Sequence, residues 1–137
     1  GAALSRDAIL NLLGLTASYA ESEIELRQMV LELDDEVQHG PALKLLRKLA
    51  DLIVSKRLYP SLRRAEICCI LRVIWVNAFP FGGTGAALFA NASYFAHSCA
   101  PTAFYTSDGE RGRIIALADL CAGSRPELSY ISCHYTL

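Results

Sequence analysis

Apolar residues recur at helical spacing through the first half of the chain and predict four helices. Ser5 can cap the first, with Ile9 and Leu12 among its apolar positions. The other three helices are predicted over residues 21–39, 41–59 and 61–79, with Gly40 and Pro41 separating the second from the third. The residues expected to be buried in the second helix are Ile24, Met29, Leu31, Leu33 and Val37.

After residue 79 the pattern changes to short extended runs separated by glycine and proline. Four strands are predicted, over residues 86–89, 103–106, 113–118 and 128–132. Asp108 and Gly109 form a turn signal between the middle two strands, so we expect a hairpin with Tyr105 and Ile115 near its turn. The pattern therefore predicts an α+β chain.

Two regions of one structural unit are expected, a helical region over residues 1–79 and a second region over residues 80–137. Charge follows a similar division. Seven acids fall within residues 21–36 and eight basic residues within residues 44–72, and we expect these helices to pack side by side with their charges in solvent. The 35 residues from Val73 to Ser107 carry no charge other than the titratable His97, so this stretch is not expected to be ordinary surface.

Length and composition exclude several classes of protein. The chain has 137 residues, 53% of them hydrophobic, which excludes a disordered chain and suffices for one compact domain. Its net charge of −1 provides no broad positive field for nucleic acid or an anionic membrane. The most apolar run, residues 67–76, is short for a membrane span and contains Arg72. We therefore expect no direct nucleic-acid binding and no membrane insertion.

Cysteine usage points to a reducing compartment. The five cysteines are odd in number and scattered, which fits free thiols better than a disulfide framework. Cys68, Cys69 and Cys121 are expected to be small buried hydrophobic residues. The first residues show no basic region leading into an apolar core, as an export signal would. We expect an intracellular protein, cytoplasmic, nuclear or both.

Two stretches of the second region resemble the signatures of the SET-domain family. Residues 93–102 read Ser-Tyr-Phe-Ala-His-Ser-Cys-Ala-Pro-Thr and resemble the signature Asn-His-Ser-Cys-x-Pro-Asn, departing from it at Ala96 and Thr102. Residues 123–130 read Gly-Ser-Arg-Pro-Glu-Leu-Ser-Tyr and are similar to the signature Gly-Glu-Glu-Leu-Thr-x-x-Tyr, with the glycine and tyrosine at the same separation. Residues 114–120 resemble the strand and turn before it.

Within the SET proteins the resemblance is to the SMYD branch. There a helix ends in Asn-x-Phe, a short loop leads to Gly-x-x-Leu-Tyr/Phe-Pro, and the first signature follows. Here Asn77-Ala78-Phe79 is followed by Gly-Ala-Ala-Leu-Phe over residues 85–89 and then by residues 93–102. The resemblance covers residues 67–135. It implies the C-terminal half of a SET fold over residues 80–137, preceded by helices similar to the insertion that this branch carries.

The resemblance implies methyl transfer from S-adenosyl-L-methionine to a lysine amine of a protein substrate. By position, Tyr130 corresponds to the catalytic tyrosine and Phe79 to a wall of the lysine channel. The positions that would lie along the cofactor are Ser93, Phe95, Ala96 and His97. A tyrosine suits this chemistry because its ring can wall the channel while its hydroxyl adds no full charge that would hold a proton on the amine.

Some features of that family are missing here. Ala96 cannot make the side-chain hydrogen bonds of an asparagine, and each lost bond to a polar ligand costs about 1 to 3 kcal/mol, or about five- to 150-fold in affinity. A Gly-x-Gly loop is expected before the lysine channel, but the glycines here, residues 82–85, follow the helices. The chain is therefore either the second half of a longer methyltransferase or a diverged relative, and we expect little activity from it alone.

Other functions remain open. The chain could be a non-catalytic interaction module whose helices form a protein-binding groove, or a helical regulator whose tail matches the family by chance. A Cys-His hydrolase is not expected, because no third group or oxyanion loop is evident. No metal is expected either. Cys99, which the resemblance makes a candidate zinc ligand, has as possible partners Cys133 and His134, which are adjacent and poorly suited to share one ion. No oligomeric state is predicted.

Overall fold

The computed structural model describes residues 4–37 and 40–130, which form a mixed α+β structure of helices followed by short strands, as predicted. The helices are α1 (Arg6–Glu21), α2 (Ile24–Leu31), α3 (Pro41–Ser55) and α4 (Arg64–Asn77). The strands are β1 (Phe79–Phe81), β2 (Gly85–Ala87), β3 (Ala96–His97), β4 (Ala103–Ser107), β5 (Gly112–Ala116) and β6 (Glu127–Leu128), and a 3-10 turn covers Ala92–Tyr94.

Helix α1 begins where the sequence predicted. The Ser5 hydroxyl accepts a hydrogen bond from the Ala8 amide at 3.1 Å, which satisfies one of the free N–H groups at the start of the helix. Helix α3 also begins as predicted, at Pro41, because proline is well suited to the first helical turn. The starts of these two helices are therefore specified by local signals.

Helix α2 is much shorter than predicted. It covers Ile24–Leu31. It starts later than predicted because α1 continues to Glu21, and it ends several residues earlier. The Asp34 carboxylate accepts a hydrogen bond from the Glu36 amide at 2.9 Å, a local turn that competes with the helical bonds. Of the residues expected to be buried here, Leu33 is buried and Val37 half-buried, but the following are exposed: Ile24, Met29 and Leu31. Residues 38 and 39 lie outside the described residues.

Helix α4 lies at the centre of the helical core. Helices α1, α2 and α3 each pack against it, and Ile70, Leu71 and Val73 have no exposed surface. The acidic helix α2 therefore packs beside α4, whose first part belongs to the basic segment of residues 44–72, as predicted. Among the described residues, one ion pair joins the two segments, between Arg72 and Asp35 at 2.8 Å.

Helix α4 ends earlier than predicted, and a strand follows it. Its last residue is Asn77, and Phe79, which the sequence placed at the helix end, begins β1. The residue before a proline is disfavoured in helical conformation, and Pro80 follows Phe79. Phe79 is thereby extended rather than helical.

The strands form three separate two-stranded sheets. Strands β1 and β2 pair antiparallel, and β4 and β5 form the predicted hairpin around residues 108–111, in which Tyr105 pairs with Ile114 and Phe104 with Ile115. Strands β3 and β6 pair in parallel, with His97 beside Leu128. The predicted strand over residues 128–132 is thus realised as Glu127–Leu128, and residues 131–132 lie outside the described residues.

The glycines of residues 82–85 serve a tight turn between β1 and β2. Gly82 and Gly83 have φ angles of 57° and 60°, in the left-handed region that favours glycine. A Cβ atom on Gly85 would overlap the Phe81 carbonyl oxygen. The Asn11 amide group donates to the Thr84 carbonyl at 2.9 Å, so this turn is joined to α1.

The cysteines differ from the prediction in part. Cys68 and Cys69 are half-buried in α4, whereas Cys121, which was expected to be buried, is exposed. The four described cysteines are free thiols. None of the helices in the described part of the chain is both long and apolar enough to cross a bilayer.

Shortening a side chain at the centre of α4 will destabilise the protein. Ile70 is fully buried, so we expect Ile70→Ala to lower the free energy of unfolding by about 2 to 5 kcal/mol through lost apolar contacts and a residual cavity. Leu52→Ala on α3 is the control, because Leu52 is exposed, and it should change the value by less than about 0.5 kcal/mol. Urea denaturation followed by circular dichroism measures both. Equal effects of the two variants would contradict the central position of α4.

Candidate functional site

The pairing of β3 with β6 brings Tyr130 to the segment around His97. The Tyr130 backbone N–H donates to Nδ1 of His97 at 2.9 Å, and the Tyr130 hydroxyl donates to the carbonyl oxygen of Phe95. The two rings lie side by side, with centroids 5.2 Å apart. Two stretches that are 33 residues apart in sequence therefore meet at one place.

His97 is held on both sides of its ring. Because Nδ1 accepts from a backbone N–H, the hydrogen of the neutral imidazole is on Nε2. Nε2 lies 3.5 Å from Sγ of Cys99. Residues two apart in an extended segment share a face, which explains this contact. Cys99 therefore joins the same network as Tyr130.

Cys99 has no cluster of metal-binding partners in the described residues. No group of three or more histidine, cysteine, aspartate or glutamate side chains there could hold a metal ion. Cys133 and His134, the residues considered with it, lie outside residues 4–37 and 40–130. The contact observed for Cys99 is the one with His97.

Thr102, one of the two departures from the first signature, stabilises the start of β6. Its hydroxyl accepts from the Glu127 amide at 3.0 Å, and its own amide donates to the Glu127 carbonyl at 3.1 Å. The Ser98 amide donates to the Leu128 carbonyl at 2.8 Å. These bonds extend the pairing of β3 with β6 beyond its two residue pairs.

A cleft of about 850 Å³ lies beside Tyr130. Its walls come from the end of α4, from β1, from the 3-10 turn and from β4 and β6. Three of the predicted site residues line it: Tyr130, Phe79 and Ser93. Most of the remaining lining belongs to the uncharged stretch of residues 73–107, so part of this stretch forms a wall of the cleft.

Phe95, Ala96 and His97 lie next to the cleft rather than in its lining. Phe95 provides the carbonyl that Tyr130 binds, and His97 provides the nitrogen that accepts from the Tyr130 backbone. Ala96 is exposed and pairs with Glu127 across the β3–β6 ladder. The structure thus gathers all six predicted site residues, but it divides them between the lining and its edge.

Aromatic rings form one wall of the cleft. The ring of Phe79 packs against that of Tyr105 at 4.6 Å between centroids, and Phe89 lies behind them, 6.0 Å from Phe79. The Tyr105 hydroxyl donates to the Pro80 carbonyl at 2.7 Å, which holds its ring in place. Phe79 is therefore a fixed wall of the cleft.

Asp34 is a cleft residue that sequence reasoning missed. It carries the one acidic or basic side chain in the described lining. The prediction placed it inside α2, where it would have been one of several solvent-exposed acids. Nothing in the sequence indicated that the helix ends before Asp34, because Val30, Leu33 and Val37 keep helical spacing past the observed end of α2.

Two contacts to α4 hold Asp34 at the cleft. The Asn77 side-chain amide donates to the Asp34 carbonyl at 2.6 Å, and the neighbouring Asp35 pairs with Arg72 at 2.8 Å. The hydrogen bond from Arg72 is the main reason that the pKa of Asp35 is lower than its ordinary value. The loop after α2 is therefore attached to the end of α4 that leads into β1.

The phenol of Tyr130 is kept neutral. Desolvation, and next the negative charge of Asp34, raise its pKa above the ordinary value of 10.0. At neutral pH the hydroxyl therefore carries its proton and acts as a hydrogen-bond donor, which agrees with its bond to the Phe95 carbonyl. The site has a neutral donor beside a single carboxylate.

The polar groups of the cleft fit part of S-adenosyl-L-methionine. Asp34 and the aromatic rings suit its positively charged groups, and apolar walls suit its ring system. The described lining offers no cationic side chain for the carboxylate of this cofactor, and Ala96 has no side-chain donor. The Ser93 hydroxyl already donates its hydrogen to the Phe89 carbonyl, at 2.8 Å. The donor set thus does not fit the whole cofactor.

Comparisons with known proteins found no relatives of this chain. No family model matches the chain, and no curated protein or solved structure does either. The functional argument therefore rests on the residues of this chain and on their geometry.

Substitutions of His97 will show whether Nδ1 holds Tyr130. The side-chain oxygen of asparagine can take the place of Nδ1, whereas that of glutamine reaches toward the place of Nε2. We therefore expect His97→Asn to retain the protection of the Tyr130 amide against hydrogen exchange, and His97→Gln to lower it by about two- to 12-fold, the equivalent of one net hydrogen bond. Exchange measured by NMR tests this. Equal protection in both variants would contradict the assignment.

Proposed function

We propose that this chain takes part in SET-type methyl transfer to lysine residues of an intracellular protein, with S-adenosyl-L-methionine as the methyl donor. Tyr130 is the proposed catalytic tyrosine and Phe79 a wall of the amine channel. The observation that supports this best is the pair of hydrogen bonds from Tyr130 to Phe95 and His97 at the edge of the cleft. They join the two segments that resemble the SET signatures.

The chemistry of the cleft suits a lysine amine. Methyl transfer needs a neutral amine that is aligned with the donor and shielded from water. Apolar and aromatic walls favour the neutral form of an amine, because desolvation lowers its pKa. The neutral Tyr130 hydroxyl can orient the amine nitrogen without adding a charge that would retain the proton. Phe79, packed against Tyr105, limits where the lysine side chain can lie.

The proposal divides the cofactor contacts between this chain and other residues. Ser93, Phe95, Ala96 and His97 are proposed to lie along the cofactor, using backbone groups at residues 96 and 97. The described lining has no partner for the cofactor carboxylate, so a cationic group from a further polypeptide segment is needed there. The chain itself supplies the tyrosine and the amine channel, and we expect its activity alone to be low.

A non-catalytic interaction module is the second candidate function. It is favoured by the exposed apolar side chains on the short helix α2, which include Ile24 and Met29. Clustered apolar residues on a surface often mark a site of protein contact. In this alternative the cleft residues serve as scaffold and the helices bind the partner.

Removing the Tyr130 hydroxyl should abolish methyl transfer without unfolding the protein. We expect Tyr130→Phe to lose the low activity of the wild-type chain, because the neutral hydroxyl oxygen that can accept from the amine N–H is lost, while its far-UV circular dichroism stays unchanged. Transfer of a radiolabelled methyl group to lysine-containing proteins is the measurement.

Tyr94→Phe is the matched control, since Tyr94 is exposed and lies outside the described cleft lining. It should retain full activity. Unchanged transfer by Tyr130→Phe would show that Tyr130 is not the catalytic tyrosine.

Calorimetry with S-adenosylhomocysteine separates the two candidate functions. Methyl transfer predicts binding at submillimolar concentration, weakened relative to a micromolar site because Ala96 lacks a donor and the carboxylate has no partner. The interaction module predicts no heat of binding even at millimolar concentration. A silent titration would therefore remove the support for methyl transfer and favour the module.

A further inference from the structure

Helix α2 and its flanking residues form an acidic and apolar surface, which we call the α2 surface (residues 21–36). It exposes four large apolar side chains, those of Ile24, Leu26, Met29 and Leu31. Six acidic residues are exposed among and beside them: Glu21, Glu23, Glu25, Glu32, Asp34 and Glu36. The basic residue of this segment, Arg27, donates to the Ala20 carbonyl and lies over the Tyr19 ring, so its charge faces the protein.

The exposed acids of the α2 surface have no ionic partner among the described residues. The ion pairs there join Arg64 with Asp51, Arg72 with Asp35 and Arg113 with Asp108. Because α2 and α3 pack on α4 rather than extensively on each other, the basic residues of α3 leave these acids unneutralised. The α2 surface therefore combines apolar contact area with a negative potential.

The α2 surface is continuous with the cleft. Asp34 belongs to both, since it is one of the exposed acids and also lines the cleft beside Tyr130. Its position is held by Asn77, two residues before Phe79. A chain lying on the α2 surface can thus reach the cleft without leaving the protein surface.

We propose that the α2 surface docks a basic segment of the substrate protein, in which lysine or arginine alternates with apolar residues, and that Asp34 guides one lysine of this segment into the cleft. Methylation of that lysine rests on the proposed function, whereas the docking does not. Charge complementarity selects this occupant, because an acidic segment or a nucleic acid would be repelled by the six exposed acids.

Asp34 is a specificity-determining residue in this proposal. A lysine arrives protonated, and a carboxylate at the cleft attracts it. The neighbouring rings, including the exposed Trp75, contribute cation–π attraction at the same place. The apolar and aromatic side chains of the lining then favour loss of the proton. A neutral or acidic side chain gains none of these interactions.

The chain carries its own probe of cleft occupancy. Trp75 is the one tryptophan of the sequence, and it lines the cleft. A synthetic peptide in which arginine and leucine alternate around one central lysine is the probe ligand. We expect it to bind the wild-type chain in fluorescence anisotropy and to change Trp75 emission. A peptide with norleucine in place of the lysine should bind but leave the emission unchanged, and one with glutamate in place of arginine should not bind.

Neutral variants test the charges. The triple variant Glu23→Gln, Glu25→Gln and Glu32→Gln should weaken peptide binding by about 3- to 100-fold. Asp34→Asn retains a side-chain oxygen for the Glu36 amide but loses the charge, so it should weaken binding and remove the change in Trp75 emission. The matched control is Lys48→Gln with Lys56→Gln in the basic segment, which should bind like the wild type. Circular dichroism confirms that each variant is folded.

Several outcomes would overturn the proposal. Equal binding of the arginine and glutamate peptides would remove the role of charge, as would a triple variant with wild-type affinity. Sedimentation could show that the chain associates with itself. If the variant Lys48→Gln with Lys56→Gln abolishes this association, the occupant of the α2 surface is a second copy of the chain instead. A peptide that docks normally but is never methylated contradicts methyl transfer alone. A peptide that is methylated with a KM unchanged in the triple variant contradicts the docking alone.

Discussion

The parallel pairing of β3 with β6 is the interaction on which the site depends. Each strand has only two residues, and the ladder joins His97 to Leu128. Side-chain and backbone bonds extend it: Thr102 holds Glu127 at one end, and His97 holds Tyr130 at the other. This pairing is what places Tyr130 beside Phe95, because no local interaction connects two stretches so far apart in sequence.

The helical core positions the opposite wall of the cleft. Helix α4 is buried among the other helices, and its C-terminal end carries Asn77 and leads to Phe79. The same end holds the loop that contains Asp34. In the β region described, by contrast, Ala103 and Leu128 are the fully buried apolar residues. One wall of the cleft is therefore supported by close packing and the other mainly by backbone hydrogen bonds.

The cleft has a consistent chemical character. Its aromatic wall and its neutral tyrosine hydroxyl favour an uncharged amine, whereas Asp34 attracts the charged form. In the proposed function these preferences act at different stages: the carboxylate favours arrival of a protonated lysine, and the apolar wall favours its deprotonated form. The described lining has no cationic side chain for the carboxylate of the proposed methyl donor.

Local signals in the sequence were sufficient for the α+β class, the cap at Ser5, the start of α3 and the hairpin at Asp108 and Gly109. Each of these depends on contacts between near neighbours, so periodicity and turn chemistry reveal them. The resemblance to the SET signatures also named Tyr130, Phe79 and Ser93, which the structure places in one cleft.

Only the tertiary structure decided how these pieces meet. Helix α2 ends at Leu31 because the loop after it is held by Arg72 and Asn77, residues of α4 that are some 40 positions away. That loop brings Asp34 to the cleft and leaves the apolar residues of α2 exposed. Sequence order cannot reveal such an arrangement, because it depends on long-range packing that overrides the local helical preference.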